Sequence, residues 1–273
     1  MRIKKNFVIG ALHFSPLIGY KGFTFYEEVL EKAKQDLKSL EDGGVDAIIV
    51  ENNYNFPHKI KETHEVIEMI IKLAKEIIKL SPLPVGISVL WNDYGGAFKI
   101  AKETGAKFIR VPVFVDSVKT DFGEINANPE KVIFTRKKMN IEDILIFADI
   151  QVKHAEMIDK NKSLFKSAKE AKDKGADVII ITGKWTGDAP IFEDLHQARK
   201  GVGKDFPIII GSGADKHNIN KLFEIADAVI ISTSLKEGEI NNLSQERNLK
   251  HYDAKIDVNK VKEFMESIKN ESS

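Results

Sequence analysis

The chain contains no cysteine among its 273 residues. That excludes structural disulfides, thiolate catalysis and cysteine-ligated zinc or iron–sulfur centres, and it fits a cytoplasmic protein. Charge of one sign is not in excess either: Lys plus Arg and Asp plus Glu number 41 each. Without a global field to draw a polyanion, nucleic acid is not expected as a partner. No apolar run reaches the roughly 18 residues of a membrane-crossing helix. No amphipathic anchor or lipidation motif stands out, which leaves peripheral attachment as the one membrane reading still open. The seven histidines form no compact H-E-x-x-H type signature.

What is present is a repeated pattern. Short β-branched runs recur at 7–13, 46–52, 84–90, 107–113, 143–150, 177–183, 207–213 and 228–234. Nearly continuous apolar strands of this kind belong to a parallel sheet buried on both faces. Between them lie segments of helical periodicity, such as FYEEVLEKAKQDLKSLEDGG and EVIEMIIKLAKEIIKL, with others expected near 94–104, 129–138, 162–174, 190–202, 215–225 and 257–270. About eight strand–helix units predict an α/β fold, a single (β/α)8 TIM barrel, for which about 250 residues is ordinary. One domain spans 1–273, with a frayed tail from about 269. The basic start MRIKKNFVIGALHFSPLIG reads as the first strand rather than a secretory signal, because His13 interrupts the apolar run and no small-x-small cleavage site follows. GGVDAIIV, KGADVIII and IADAVII each set an aspartate just before a strand, which is expected of helix-to-strand turns.

Barrel chemistry sits at the carboxyl ends of the strands. Reading those ends in order collects His13, Glu51 with Asn52, Asn92 with Asp93, Arg110, Asp121, Asp149 with Lys153 and His154, and Thr182 with Lys184. In FADIQVKHA an extended chain would put Asp149, Gln151 and Lys153 on one face and His154 on the other. A partly desolvated lysine there can act as acid or base, form a Schiff base or neutralise an anion; the competing structural reading is an ion pair with Asp149. Glu51 is the second carboxylate for proton transfer or metal binding, unless it pairs with Arg110. His13 completes this catalytic set. Asn92 and Asp93 could orient hydroxyls or cap the helix near Tyr94. A hard divalent ion such as magnesium would find oxygen donors in Glu51, Asp93, Asp121 or Asp149.

Two bare stretches complete the mouth. Gly211-Ser212-Gly213 follows the seventh strand, and Ser232-Thr233-Ser234 follows the eighth. Glycines let backbone N–H groups approach an anion, and a helix N-terminus adds a favourable dipole. The last two barrel loops often hold a phosphate, so these residues, with Thr233 and Ser234, are the expected phosphate site.

The segments IGALHFSPLIG, GGVDAIIVENN, VGISVLWND, AKFIRVPV, KTDFGEI, FADIQVKHA, TGKWTG, GSGADKHNI and ADAVIISTSLKEG run in order from about residue 8 to 250. In combination they resemble the BtpA/SgcQ family. The resemblance implies a ribulose-phosphate-binding type barrel with its phosphate at the last two strand ends. It also implies two classes of function. One is an enzyme on a phosphorylated sugar or related metabolite, of isomerase, epimerase or lyase type. The other is a non-catalytic assembly factor, as in the photosystem I biogenesis branch, or a phosphometabolite-binding regulator. The sequence departs from the family pattern at Trp91, Pro112 and NNYNFPH, all near the mouth. A homo-oligomer is compatible with such a barrel, and nothing in the sequence selects its size.

Overall fold

The structure is a computed structural model that describes residues 1–183, 188–238 and 250–269. Its elements in order are β1 (Phe7–His13), α1 (Tyr26–Gly43), β2 (Ala47–Glu51), α2 (His64–Leu80), β3 (Val85–Ser88), α3 (Tyr94–Thr104) and β4 (Phe108–Val111). Then come β5 (Val118–Thr120), β6 (Gly123–Ile125), α4 (Pro129–Lys138), β7 (Leu145–Ile150), β8 (Glu156–Met157), α5 (Leu164–Asp173) and β9 (Val178–Ile181). The chain ends with α6 (Phe192–Val202), β10 (Ile208–Ile210), α7 (Ile219–Phe223), β11 (Ala228–Ile231), a 3-10 turn (Thr233–Leu235) and α8 (Val258–Lys269). Eight parallel strands close in the order β1-β11-β10-β9-β7-β4-β3-β2, so the expected TIM barrel is present. No helix among the described residues is long and apolar enough to cross a membrane.

The pleat explains how one sequence fills two cores. On each strand alternate residues face the barrel axis, and Phe7, Ile9, Ala11, Ile49, Ile180 and Ile230 belong to one interior cluster. Their neighbours, such as Val8, Ile48 and Ile179, pack outward with the helices. Space inside is shared between large and absent side chains. A Cβ on Gly86 would lie 2.1 Å from the Phe108 ring. That ring stacks on Phe147 with centroids 4.3 Å apart. Glycine on β3 therefore makes room for two aromatics from β4 and β7.

The repeated aspartates have a more specific task than turn chemistry. Asp46 Oδ2 accepts from the Val8 N–H at 2.8 Å, Asp177 Oδ2 from Ile146 at 2.8 Å and Asp227 Oδ2 from Ile208 at 3.0 Å. Each satisfies an edge donor at the amino end of a neighbouring strand. Arg136 and Arg199 pair with Asp177 and Asp227 at 2.7 and 2.6 Å.

Two differences from the sequence reading matter for the site. A three-stranded antiparallel sheet, ordered β6-β5-β8, arises from the connections after β4 and β7 and was not foreshadowed. Its strands are too short for their periodicity to register. It packs Val118 and Ile125 with Trp91, Val113 and Val152 into a separate apolar cluster. Helix α7 is also shorter than expected, because Asp215 and Asn218 close a local turn before Ile219.

Replacing Gly86 with Ala is expected to destabilise the fold by about 1–3 kcal/mol through overpacking against Phe108. Urea denaturation checks this: the midpoint should fall while its slope stays constant.

Candidate active site

One pleat step beyond the apolar layer, the inward positions change character. β1 ends in His13, β2 in Glu51, β3 in Ser88, β4 carries Arg110 and β7 carries Asp149. Just beyond the ends of β9, β10 and β11 stand Thr182, Gly211 and Ser232. The same period that buries isoleucine two residues earlier thus lays a polar floor at the mouth.

Arg110 organises that floor. Its Nε and Nη2 donate to Asp149 Oδ1 and Oδ2, both at 2.8 Å, and its Nη1 donates to Glu51 Oε1 at 3.1 Å. Glu51 Oε2 lies 3.4 Å from His13 Nε2, and the Asn53 amide is 3.3 Å from His13 Nδ1. An Asn53 N–H donor at Nδ1 leaves the His13 proton on Nε2, facing Glu51. Burial would raise the Glu51 carboxyl, but the His13 hydrogen bond and the Arg110 charge outweigh it and hold the group at about 2. Burial, helped by the Lys236 charge, pushes His13 down to about 4. Burial also pushes the Asp149 carboxyl upward, against the pull of Arg110. Ser88 lies between Glu51 and Arg110 in the strand register, with a buried hydroxyl that has no partner among the described residues.

Lys153 reaches the mouth by a route different from the expected extended chain. Backbone φ is positive at Gln151 and His154, 48° and 59°, so the alternation stops where β7 ends. Gln151 turns away to the Lys162 carbonyl and Ser167, while Val152, Lys153 and His154 all line one cavity of about 190 Å³. The Lys153 N–H donates to Thr182 Oγ1 at 3.1 Å. Its amine makes no hydrogen bond or ion pair among the described residues. The expected alternative, a pair with Asp149, is not formed, because Arg110 occupies both oxygens of that carboxylate. Burial, reinforced by Arg110, lowers the Lys153 amine to about 8.

The same cavity is lined by Gly211, Ser212 and Gly213 after β10 and by Ser232, Thr233 and Ser234 after β11. A Cβ on Gly213 would meet the backbone of Asp188 and Ala189 at 2.0 Å, and its φ is 71°. Only glycine allows that approach. Two expectations change here. The Ser212 hydroxyl is occupied, accepting from the Gly183 N–H at 3.1 Å and donating to the Asp188 carbonyl at 3.0 Å. No helix dipole assists either, since α7 has five residues and Asp215 already accepts from the N–H groups of His217 and Asn218 at 2.8 and 3.1 Å. Ser234 donates to the Ala214 carbonyl at 3.1 Å. The Ser232 hydroxyl is the one left open: it is buried without a partner among the described residues.

Other predicted residues are not brought to the cavity. Asn52 clamps the third connection, accepting from the Leu90 N–H at 2.7 Å and donating to Glu62 Oε1 at 2.9 Å. Asn92 exchanges two hydrogen bonds with the Val113 backbone. Asp93 caps α3 through Gly96 at 2.9 Å and also accepts from the Glu62 N–H at 3.1 Å. Thr182 serves Lys153 from outside the cavity lining. Asp121 is exposed at the turn between β5 and β6. Lys184, with Trp185 and Thr186, lies outside the described residues. Among the described residues no group of three His, Asp or Glu side chains is arranged to hold a metal ion. The carboxylates suited to magnesium are dispersed, with Glu51 and Asp149 on Arg110 and Asp93 at a helix cap.

Sequence reasoning missed Lys236 and Tyr54. Lys236 lies two residues past Ser234, and its amine donates to the Tyr54 hydroxyl at 2.9 Å. Both line the cavity. Among 41 basic residues its only signal was adjacency to the serine run.

Residues 4–270 match the BtpA family. The chain belongs to that family. It is similar to the photosystem I biogenesis protein BtpA of Synechocystis sp., at 38% identity over 86% of this chain and 83% of that protein. A Pyrococcus furiosus relative, described as uncharacterized, is 38% identical over 87% of this chain and 90% of its own. Among solved structures, the chain resembles the N-(5'-phosphoribosyl)anthranilate isomerase of Pyrococcus furiosus, with a TM-score of 0.54 and 18% identity covering 97% of this chain and 99% of that one. It also resembles a thiamine phosphate pyrophosphorylase from the same organism, with a TM-score of 0.54 and 14% identity over 98% and 97%. At such identities the structural likeness establishes the barrel. In this BtpA-family member, the departures Trp91 and Pro112, with Tyr54 of NNYNFPH, all line the cavity.

The floor makes a pH prediction. His13 and Glu51, held at about 4 and about 2 against ordinary values of 6.5 and 4.5, bind fewer protons folded than unfolded. Stability is therefore fully present above pH 6.5 and is lost on acidification through those windows. Thermal melts between pH 3 and 8 should show this loss, and Glu51→Gln should flatten the portion below pH 4.5.

Proposed function

We propose that this BtpA-family barrel is an enzyme acting on a phosphorylated sugar or related small metabolite, with chemistry of the isomerase, epimerase or lyase type. One observation carries the reading: a single cavity joins the bare turns after β10 and β11 to a half-buried lysine, Lys153, whose amine has no partner among the described residues. The phosphate rests on the Gly211–Gly213 and Thr233–Ser234 backbone and on the Ser232 hydroxyl, a buried donor that has no acceptor among the described residues.

Lys153 is the acid–base group. With its amine at about 8, roughly a tenth is neutral at pH 7, so it can take a proton from carbon or return one to oxygen. Glu51 and Asp149 act indirectly, because Arg110 and His13 engage their oxygens. They hold the guanidinium at the cavity wall, where its charge stabilises an oxyanion developing on the substrate. His13 is neutral and presents no competing charge. His154 lines the wall beside Lys153 and contacts the substrate.

The name of the Synechocystis relative supports a second reading, a scaffold for assembly of a larger complex. The two readings part on turnover. Inorganic phosphate and phosphosugars at millimolar concentration are expected to raise the melting temperature, corresponding to about 2.7 kcal/mol at a hundredfold excess over Kd. On the sugar phosphate that is turned over, Lys153→Met should lower kcat by about 10²–10⁴. If no phosphorylated compound shifts stability, the phosphate site is wrong. Binding without turnover of any compound favours the scaffold.

A further inference from the structure

A second amine shares the cavity with Lys153. Lys236 is only 2% exposed, yet among the described residues its amine has one hydrogen-bond acceptor, the neutral Tyr54 hydroxyl at 2.9 Å. The amine also sits 4.9 Å from the Tyr54 ring centroid. Tyr54 in turn donates to the Lys250 carbonyl at 3.0 Å, which holds the ring in place. Two carboxylates act on the amine from a distance, and both are engaged elsewhere: Asp36 accepts from Lys32 at 2.6 Å and from the Ile256 N–H at 2.8 Å, and Glu51 accepts from Arg110 at 3.1 Å. Lys236 has no ion pair with a carboxylate among the described residues.

A cation–π contact with one ring offsets only part of the cost of desolvating an ammonium. The rest must come from a counter-charge and further acceptors. Tyr54 alone does not close that gap. Among the described residues the amine lacks an anion and has room for further acceptors.

Its position tells which anion. Tyr54 follows β2, and its ring lies 5.9 Å from His13 at the end of β1. The Lys236 amine therefore stands on the β1–β2 side of the mouth. Lys153 follows β7 and is tied to Thr182 after β9. In barrel order the bare turns after β10 and β11 lie between these two amines.

We propose that Lys236 and Tyr54 form a second anion subsite, and that the ligand is two-headed, carrying a carboxylate or second phosphate besides the phosphate held by the glycine and serine turns. This rests on the phosphate reading above and extends it to a substrate class. Burial, with the Lys32 charge, lowers the Lys236 amine to about 7, so more than half of it is protonated at pH 6.5 and able to receive an anion.

Calorimetric titration at pH 6.5 with inorganic phosphate, glycerol 3-phosphate, 2-phosphoglycolate and fructose 1,6-bisphosphate tests it. The two-headed compounds are expected to bind at least tenfold more tightly than glycerol 3-phosphate, the better of them identifying the second group. Lys236→Met should abolish that preference and leave inorganic phosphate within about twofold. Should the variant fail to fold, the preference measured on the unaltered protein still decides. Equal affinities for one-headed and two-headed compounds would overturn the second subsite while sparing the phosphate site. So would a Lys236→Met loss shared equally by inorganic phosphate. Absence of binding by all four would remove the phosphate reading itself, and the subsite with it.

Discussion

The guanidinium of Arg110 is the centre on which the mouth of this barrel depends. It joins three strands that are not all adjacent: β4, which carries it, β7 through Asp149, and β2 through Glu51. A buried pair of carboxylates would repel one another, and one of them would take up a proton. The arginine between them offsets that repulsion and engages both carboxylates. The Lys153 amine forms no ion pair with either of them. A lysine beside two available carboxylates would form an ion pair and lose its proton only at high pH, whereas here burial is free to lower it.

Much of this was legible in the sequence, for a definite reason. Eight apolar runs separated by amphipathic helices report a parallel barrel directly, since both the period and the lack of alternation have the same cause, burial on two faces. Asking what ends each strand picks out His13, Glu51, Arg110, Asp149, Lys153 and the two bare turns, and the structure places them together at one mouth. What failed was the assignment of roles within that address. Asn52, Asn92 and Asp93 have the chemistry to bind hydroxyls, but their polar atoms meet backbone groups of neighbouring connections first. Which of two acceptors a side chain finds depends on loop paths that carry no periodic signal.

The same limit hid Lys236 and the small antiparallel sheet. Lys236 follows the 3-10 turn in a single extended residue bridged to Ile256, where neither pattern nor composition distinguishes a buried lysine from the many exposed ones. The sheet strands, two or three residues each, fall below the length at which alternation can be recognised. Its apolar cluster nonetheless involves Trp91 and Val152, both of which line the cavity. Residues that looked like loop are thus part of the wall.

The stacked rings of Phe108 and Phe147 lie one pleat step beneath Arg110 and Asp149. With isoleucines around them they make the floor a boundary that is hydrocarbon below and open only above. Solvent can screen the charges of the mouth from one side alone. A molecule that filled the cavity would remove that one-sided screening and deepen every electrostatic interaction at the floor at once. The barrel interior would thereby set how strongly such occupancy changed the acidity of Lys153.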